Sequence, residues 1–244
     1  MFDVAPNLLE DMKRHALEQF PEESCGVLTT DDRYIPIPNV AEKPHIEFQM
    51  PKEIWNPLYL SNQVRAVVHS HSSGTAHPSK SDMISQRDVA LPFGIIVMNS
   101  KTSIREVVWF GDQARDYTRP YEGRVFRHGV DDCYELVREW YKREKNVVLP
   151  YFPRNANWWN TDEEVLRDNF VDMGFKEIDF RQLKPGDALL MHIMSQKINH
   201  CGVYSGNDIL LHHLWGSGSR VRYSRRDNIH AWRSSISKCL RYAP

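Results

Sequence analysis

The stretch HSHSSGTAHPSKSD, residues 69 to 82, carries imidazoles at His69 and His71 and a carboxylate at Asp82, with no hydrophobic pattern between them. Two histidines two residues apart at the end of a strand leave on the same face and can share one ion. Asp82, at the start of the following helix, can return an oxygen to the same point. Two imidazoles, one carboxylate and an open position form the ligand set of a catalytic zinc site, where the metal activates water. A base must then take the water's proton, and Glu23 in PEESCGVL is the acidic residue placed to do so. Ser79 is placed to donate a hydrogen bond to a developing oxyanion. His77 lies between the ligands and reads as a surface residue.

A second group of reactive residues lies further on. Cys133 falls in the first turn of a predicted helix, where the macrodipole and free N–H groups favour thiolate. His200 and His212 fall on successive strands of one predicted hairpin, NHCGVYSGNDILLHH, close enough for the second ring to orient the first. Cys25, Cys201 and Cys239 read as core packing. The four cysteines are spaced too unevenly for a disulfide framework or a paired zinc cage.

The elements that must position these residues follow from periodicity and turn signals. NLLEDMKRHALEQF predicts an amphipathic helix over residues 7 to 20, followed by short strands in CGVLTT and RYIPIP and a helix in PKEIWNPLYLSN kinked or ended near Pro57. VRAVVHSH reads as a buried strand, SDMISQRDVAL as a helix beginning at Ser81, and FGIIVMN and SIREVVWF as two further strands. Residues 111 to 124 are polar and turn-rich, a linker. Beyond it, DDCYELVREWYKRE and TDEEVLRDNFVDMGF predict helices, the second capped by Thr161 and stopped by Gly174. Strands then follow in DALLMHIM, NHCGVYSG, DILLHHLW, SRVRYS and ISKCLRYA. The fold class is therefore α/β (α+β) in two domains, residues 1–112 and 117–244, helices preceding strands in the second.

At 244 residues and 41% hydrophobic, the chain has the length and apolar content for two cores. Its net charge of −1, from 31 basic and 32 acidic residues, argues against nucleic acid or anionic lipid as a partner. No run approaches the roughly 20 apolar residues of a membrane helix, and MFDVAPNLLEDMKRH lacks the order of a signal peptide. The expectation is a chain made and folded in the cytosol, without membrane insertion.

Glu23-x-Cys-Gly, then His69-x-His71, then Ser79-x-x-Asp82 resembles the JAMM (JAB/MPN) metallopeptidase signature over roughly residues 5 to 112. The resemblance implies a sheet flanked by helices and one Zn2+ held by His69, His71 and Asp82. It makes Glu23 the general base and Ser79 the group that steadies the tetrahedral intermediate. Ser72 stands where that family often has proline.

From Tyr121 onward, Asp132-Cys133, the KPGD turn at 184 to 187 and the hairpin from His200 to His212 resemble the NlpC family of papain-like cysteine peptidases, which cleave bacterial cell-wall peptides. By that resemblance Cys133 is the nucleophile, its backbone N–H an oxyanion donor, His200 the base and His212 the third polar member. Tyr121 lies near the substrate's amino group. Consecutive strand residues face opposite sides, so only one of His212 and His213 can reach His200; the register of the resemblance selects His212. Tyr134 replaces the family's usual serine and is expected to alter the shape of the pocket.

The two modules in this order resemble the tail tip assembly proteins of lambda-like, long-tailed bacteriophages. That implies other tail tip proteins as partners, peptidoglycan peptides as substrate, and a place in the host cytoplasm during assembly and at the virion tail tip. The alternative is a docking factor in tail tip assembly whose sites are vestigial.

Overall fold

A computed structural model describes residues 2–161, 163–216 and 222–243. Contacts divide the chain into two compact units, Met1–Asp116 and Tyr117–Pro244.

The first unit opens with α1 (Pro6–Gln19), with proline at its start, where a missing N–H costs nothing. Its buried stripe of Leu8, Met12 and Ala16 packs against Leu28, Ala66, Val68, Ile96 and Met98 of the sheet. Burial of the two larger side chains stabilises the unit by about 1.5–3 kcal/mol each. The sheet is built from β1 (Cys25–Thr29), β2 (Tyr34–Ile37), β3 (Val64–His71), β4 (Phe93–Ser100) and β5 (Ser103–Phe110), in the order β2-β1-β3-β4-β5. The β3/β4 pair is parallel and every other neighbour is antiparallel. A parallel pair needs a crossover, which α3 (Lys80–Val89) supplies. Because Ala66 and Val68 face α1, strand alternation sends His69 and His71 to the opposite face. The helix α2 (Lys52–Leu60) runs through Pro57.

The cap of α3 differs from the sequence expectation. Ser79, not Ser81, is the N-cap: its Oγ accepts from the Asp82 N–H while the Asp82 carboxylate accepts from the Ser79 N–H. This reciprocal pair satisfies two donors that the first turn leaves unpaired, which Ser81 has no partner to match.

The second unit starts with α4 (Cys133–Lys145) and α5 (Val165–Asp172), followed by β6 (Phe175–Ile178), β7 (Ala188–Met191), β8 (His200–Gly206), β9 (Ile209–His213), β10 (Ser224–Asn228) and β11 (Ile236–Tyr242). Its antiparallel sheet runs β10-β9-β8-β7-β11-β6. One face, with Ala188, Leu190, Cys201, Val203 and Leu211, packs on α4. The other carries Leu189, Met191 and Leu210 against Ile229.

Two expectations in this unit are corrected. Thr161 does not cap α5, whose N-cap is Glu164; the Thr161 hydroxyl instead donates to the Trp158 carbonyl, closing a separate turn. Of the strand expected over SRVRYS, Arg222 and Tyr223 fall outside β10, which runs from Ser224 to Asn228. Residues 219 to 221 of that stretch lie outside the described residues. The short edge strand β6 was not expected at all.

Candidate active sites

In the first unit, the register Cys25↔His69 lays β1 against β3 and carries the residues just before β1 beside the end of β3. Ser24 fixes this junction, donating its N–H to Ser70 Oγ and accepting from the Ser70 N–H. Glu23 is thereby held 5% exposed. Burial pushes its carboxyl up to about 7, with Asp82 and Glu47 adding and His71 opposing.

His69 Nε2 and His71 Nε2 lie 3.1 Å apart, and Asp82 brings Oδ1 to 3.5 Å from the first and Oδ2 to 3.4 Å from the second. An ion bound tetrahedrally with bonds of about 2.0–2.1 Å separates its ligand atoms by roughly 3.3–3.4 Å. The three side chains therefore stand within a few tenths of an ångström of such spacings, and the cluster can coordinate a metal ion. The tautomer is set on one side, since His71 Nδ1 donates to the Thr75 carbonyl at 2.9 Å and leaves Nε2 for a ligand. Phe48 stacks on His69 at 4.5 Å. Burial pushes the Asp82 carboxyl up, but the two imidazoles outweigh it and hold the group well below the ordinary carboxylate range. Ser79 Oγ donates to Asp82 Oδ2 at 2.7 Å. His77 is half-buried rather than exposed and lies outside the three-residue cluster.

In the second unit, Asp132 caps α4 by accepting from the N–H groups of Tyr134 and Glu135, leaving Cys133 as the first helical residue. His200 is the first residue of β8, at the end of the sheet, where its ring hydrogen-bonds the Cys133 thiol. Bonds from the Cys201 thiol and from His200 bring Cys133 well below the ordinary thiol range, against its burial and the Asp132 charge. Cys201 packs in the core as expected, and on the α4 face it also touches the nucleophile candidate.

His200 Nε2 lies 3.0 Å from His212 Nδ1. The register Gly202↔His212 puts the two histidines on one face at a diagonal. A Cβ on Gly202 would meet that of His212 at 3.0 Å, so the glycine leaves room for the ring to lean across. His213 faces the other way, against Phe126. The aromatic walls beside Cys133 and His200 include Phe126, Trp158, Trp159 and Trp215.

Two further expectations are corrected. The Tyr121 hydroxyl donates to Glu144 Oε1 at 2.8 Å and its ring lies under the Arg143 guanidinium at 4.0 Å, in the last turn of α4, eleven residues beyond Cys133. Those two charged groups hold it at the far end of the helix from the thiol. Tyr134 does not shape the cleft either: it is fully buried, its hydroxyl donating to the Pro150 carbonyl and its ring against Phe152.

Asp132 is held by more than the helix. It also accepts from the Gly129 N–H and from the Arg154 guanidinium, and both charges are buried. Removing one member of such a pair strands the other. Arg154→Ala is therefore expected to lower the unfolding free energy by about 3–5 kcal/mol in denaturant titration. Asp227, on β10, completes the row beyond His212 at 3.1 Å and was missed in the sequence.

The NlpC/P60 family model matches residues 120–240, and the model for prokaryotic homologs of the JAB domain matches residues 5–110. Tail tip assembly protein K of Escherichia phage N15 is 28% identical over 240 residues, 96% of this chain and 93% of that one. Tail tip assembly protein K of Escherichia phage lambda is 31% identical over 165 residues, 68% of this chain and 77% of that one. The CysO-cysteine peptidase of Mycobacterium tuberculosis is 28% identical over 90 residues, 33% of this chain and 62% of that one.

Proposed function

Because the chain belongs to the family of phage tail tip assembly protein K, we propose that it serves tail tip assembly with two peptidase sites, one on each unit. The cysteine site cuts peptides of peptidoglycan. The metal site cuts a peptide or isopeptide bond. The observation that carries the reading is the unbroken line from Cys133 through His200 to His212, with the nucleophile at a helix N-terminus.

In the cysteine site, His200 takes the proton of the Cys133 thiol, and the thiolate attacks the scissile carbonyl carbon. The developing oxyanion lies at the N-terminus of α4, where the Cys133 N–H is a donor. His200 then returns the proton to the leaving amine, and water, deprotonated by the same ring, releases the acyl group. His212 accepts from His200 and keeps the ring in one orientation.

In the first unit His69, His71 and Asp82 would hold one zinc ion, which when bound supplies Lewis-acid activation of water and the carbonyl. In this reading Glu23 takes a proton, and the Ser79 hydroxyl turns from Asp82 to donate to the substrate oxygen. Partners in this reading are other tail tip proteins, met in the host cytoplasm during assembly and carried to the virion tail tip. Among the described residues no helix is long and apolar enough to cross a membrane.

The test is digestion of purified peptidoglycan and its soluble peptide fragments by the purified chain. The reading expects new amino termini from the wild type, none from Cys133→Ala, and release insensitive to a zinc chelator. Equal release by wild type and Cys133→Ala removes the cysteine half. Full tail assembly by a Cys133→Ala, His69→Ala double variant would favour a docking role over both activities.

A further inference from the structure

The hydrogen-bonded row that begins at Cys133 does not stop at His212. On the far side of that ring, Nε2 meets Asp227 Oδ2 at 3.1 Å. The register of β9 with β10 sets His212 opposite Arg225, so Asp227 is its diagonal neighbour on the same face. The carboxylate is itself held: Trp232 Nε1 donates to Oδ2 at 3.0 Å and Arg225 approaches it at 2.8 Å. Trp232 is brought there by a turn that Asn228 caps, and its ring meets the His212 ring at 4.9 Å. Groups from two strands and a capped turn thus converge on one oxygen.

We propose that Asp227 is a positioning residue of the cysteine site: through His212 it fixes which nitrogen of His200 faces Cys133. The inference rests on the cysteine-peptidase reading for its use in catalysis.

The chemistry runs by elimination along the row. An ionised carboxylate only accepts, so His212 Nε2 must carry hydrogen. Burial lowers the His212 ring to about 4 despite the pull of Asp227, so the ring is neutral and its Nδ1 has a free lone pair. His200 Nε2 must then be the donor to that lone pair. Its Nδ1 is left bare to receive the Cys133 proton, as the Sγ–H bond breaks and the Nδ1–H bond forms. The resulting imidazolium is stabilised by a row that ends on a negative charge. The charged or titratable groups around His212 are His200 in the row, His213 on the opposite face, Arg225 and Asp227.

Alkylation of Cys133 by iodoacetamide measures the thiolate without any peptide substrate. We would follow it between about pH 4 and pH 9 in the wild type, Asp227→Ala and Asp227→Glu, with Cys133→Ala as background. In Asp227→Ala the acid limb is expected to move up by about one pH unit, about tenfold slower on the limb. Asp227→Glu should recover part of that shift. A limb that stays in place in a folded Asp227→Ala, whatever its plateau, overturns the proposal. Should that variant fail to fold, nitrogen-15 NMR of the wild-type imidazoles decides: His212 protonated on Nε2 supports the proposal, and His212 protonated on Nδ1 overturns it. A shifted limb in a chain that cuts no peptidoglycan would keep the role of Asp227 and discard the peptidase reading.

Discussion

His200→Ala is expected to lower the rate of peptidoglycan-peptide cleavage by about 10^3-fold, in the range that loss of a positioned general base costs. The same variant should lose most of its iodoacetamide reactivity at pH 6, because the thiolate loses both its hydrogen bond and its partner charge. His212→Ala should cost less, since it removes only the group that orients the base. Steady-state cleavage and alkylation measured on the same preparations separate the two. If His200→Ala alkylates like the wild type while cleavage falls, the ring acts on the substrate alone and the thiol is not activated by it. Folding is not expected to suffer greatly. His200 is the first residue of its strand, and the strand keeps its pairing with β7 and β9.

The second large effect concerns the metal cluster. Asp82→Asn keeps the size of the side chain and an acceptor for the Ser79 N–H, but loses the charge that two imidazoles have gathered around. Affinity for zinc should drop by more than the 10–100-fold that follows from loss of an outer-shell partner. The effect can be read as stability. Zinc at a hundred times its dissociation constant should raise the unfolding free energy of the wild type by about 2.7 kcal/mol, and that of Asp82→Asn by far less. A wild type whose melting is indifferent to zinc, while Asp82→Asn melts alike, would contradict the assignment of these ligands.

Much of both sites was legible before the structure. HSH could be read because a strand repeats every two residues, which commits His69 and His71 to one side once VRAVVHSH is a strand. Cys133 could be read because a helix start is marked by an acidic cap just before it. What escaped depended on long-range pairing. Asp227 lies in SRRDN, an arginine-rich run without alternation, whose strand character comes from pairing with β9 and not from its own pattern. The strand β6 shows one buried residue in four and sits at the edge of its sheet, so no period announces it. For the cap of α3, both serines of SKS are good candidates, and only the reciprocal bond with Asp82 distinguishes them. Tyr121 was placed by resemblance alone; Arg143 and Glu144 of α4 determine where it actually lies.

Two separate chemistries in one chain are the central claim, and the zinc content of the purified protein tests it most directly. Elemental analysis should find about one zinc ion per chain in the wild type and in Cys133→Ala, and almost none in His69→Ala, because a three-residue shell that loses a ligand no longer completes the site. Less than about one zinc per two wild-type chains, or equal zinc in His69→Ala, would contradict it.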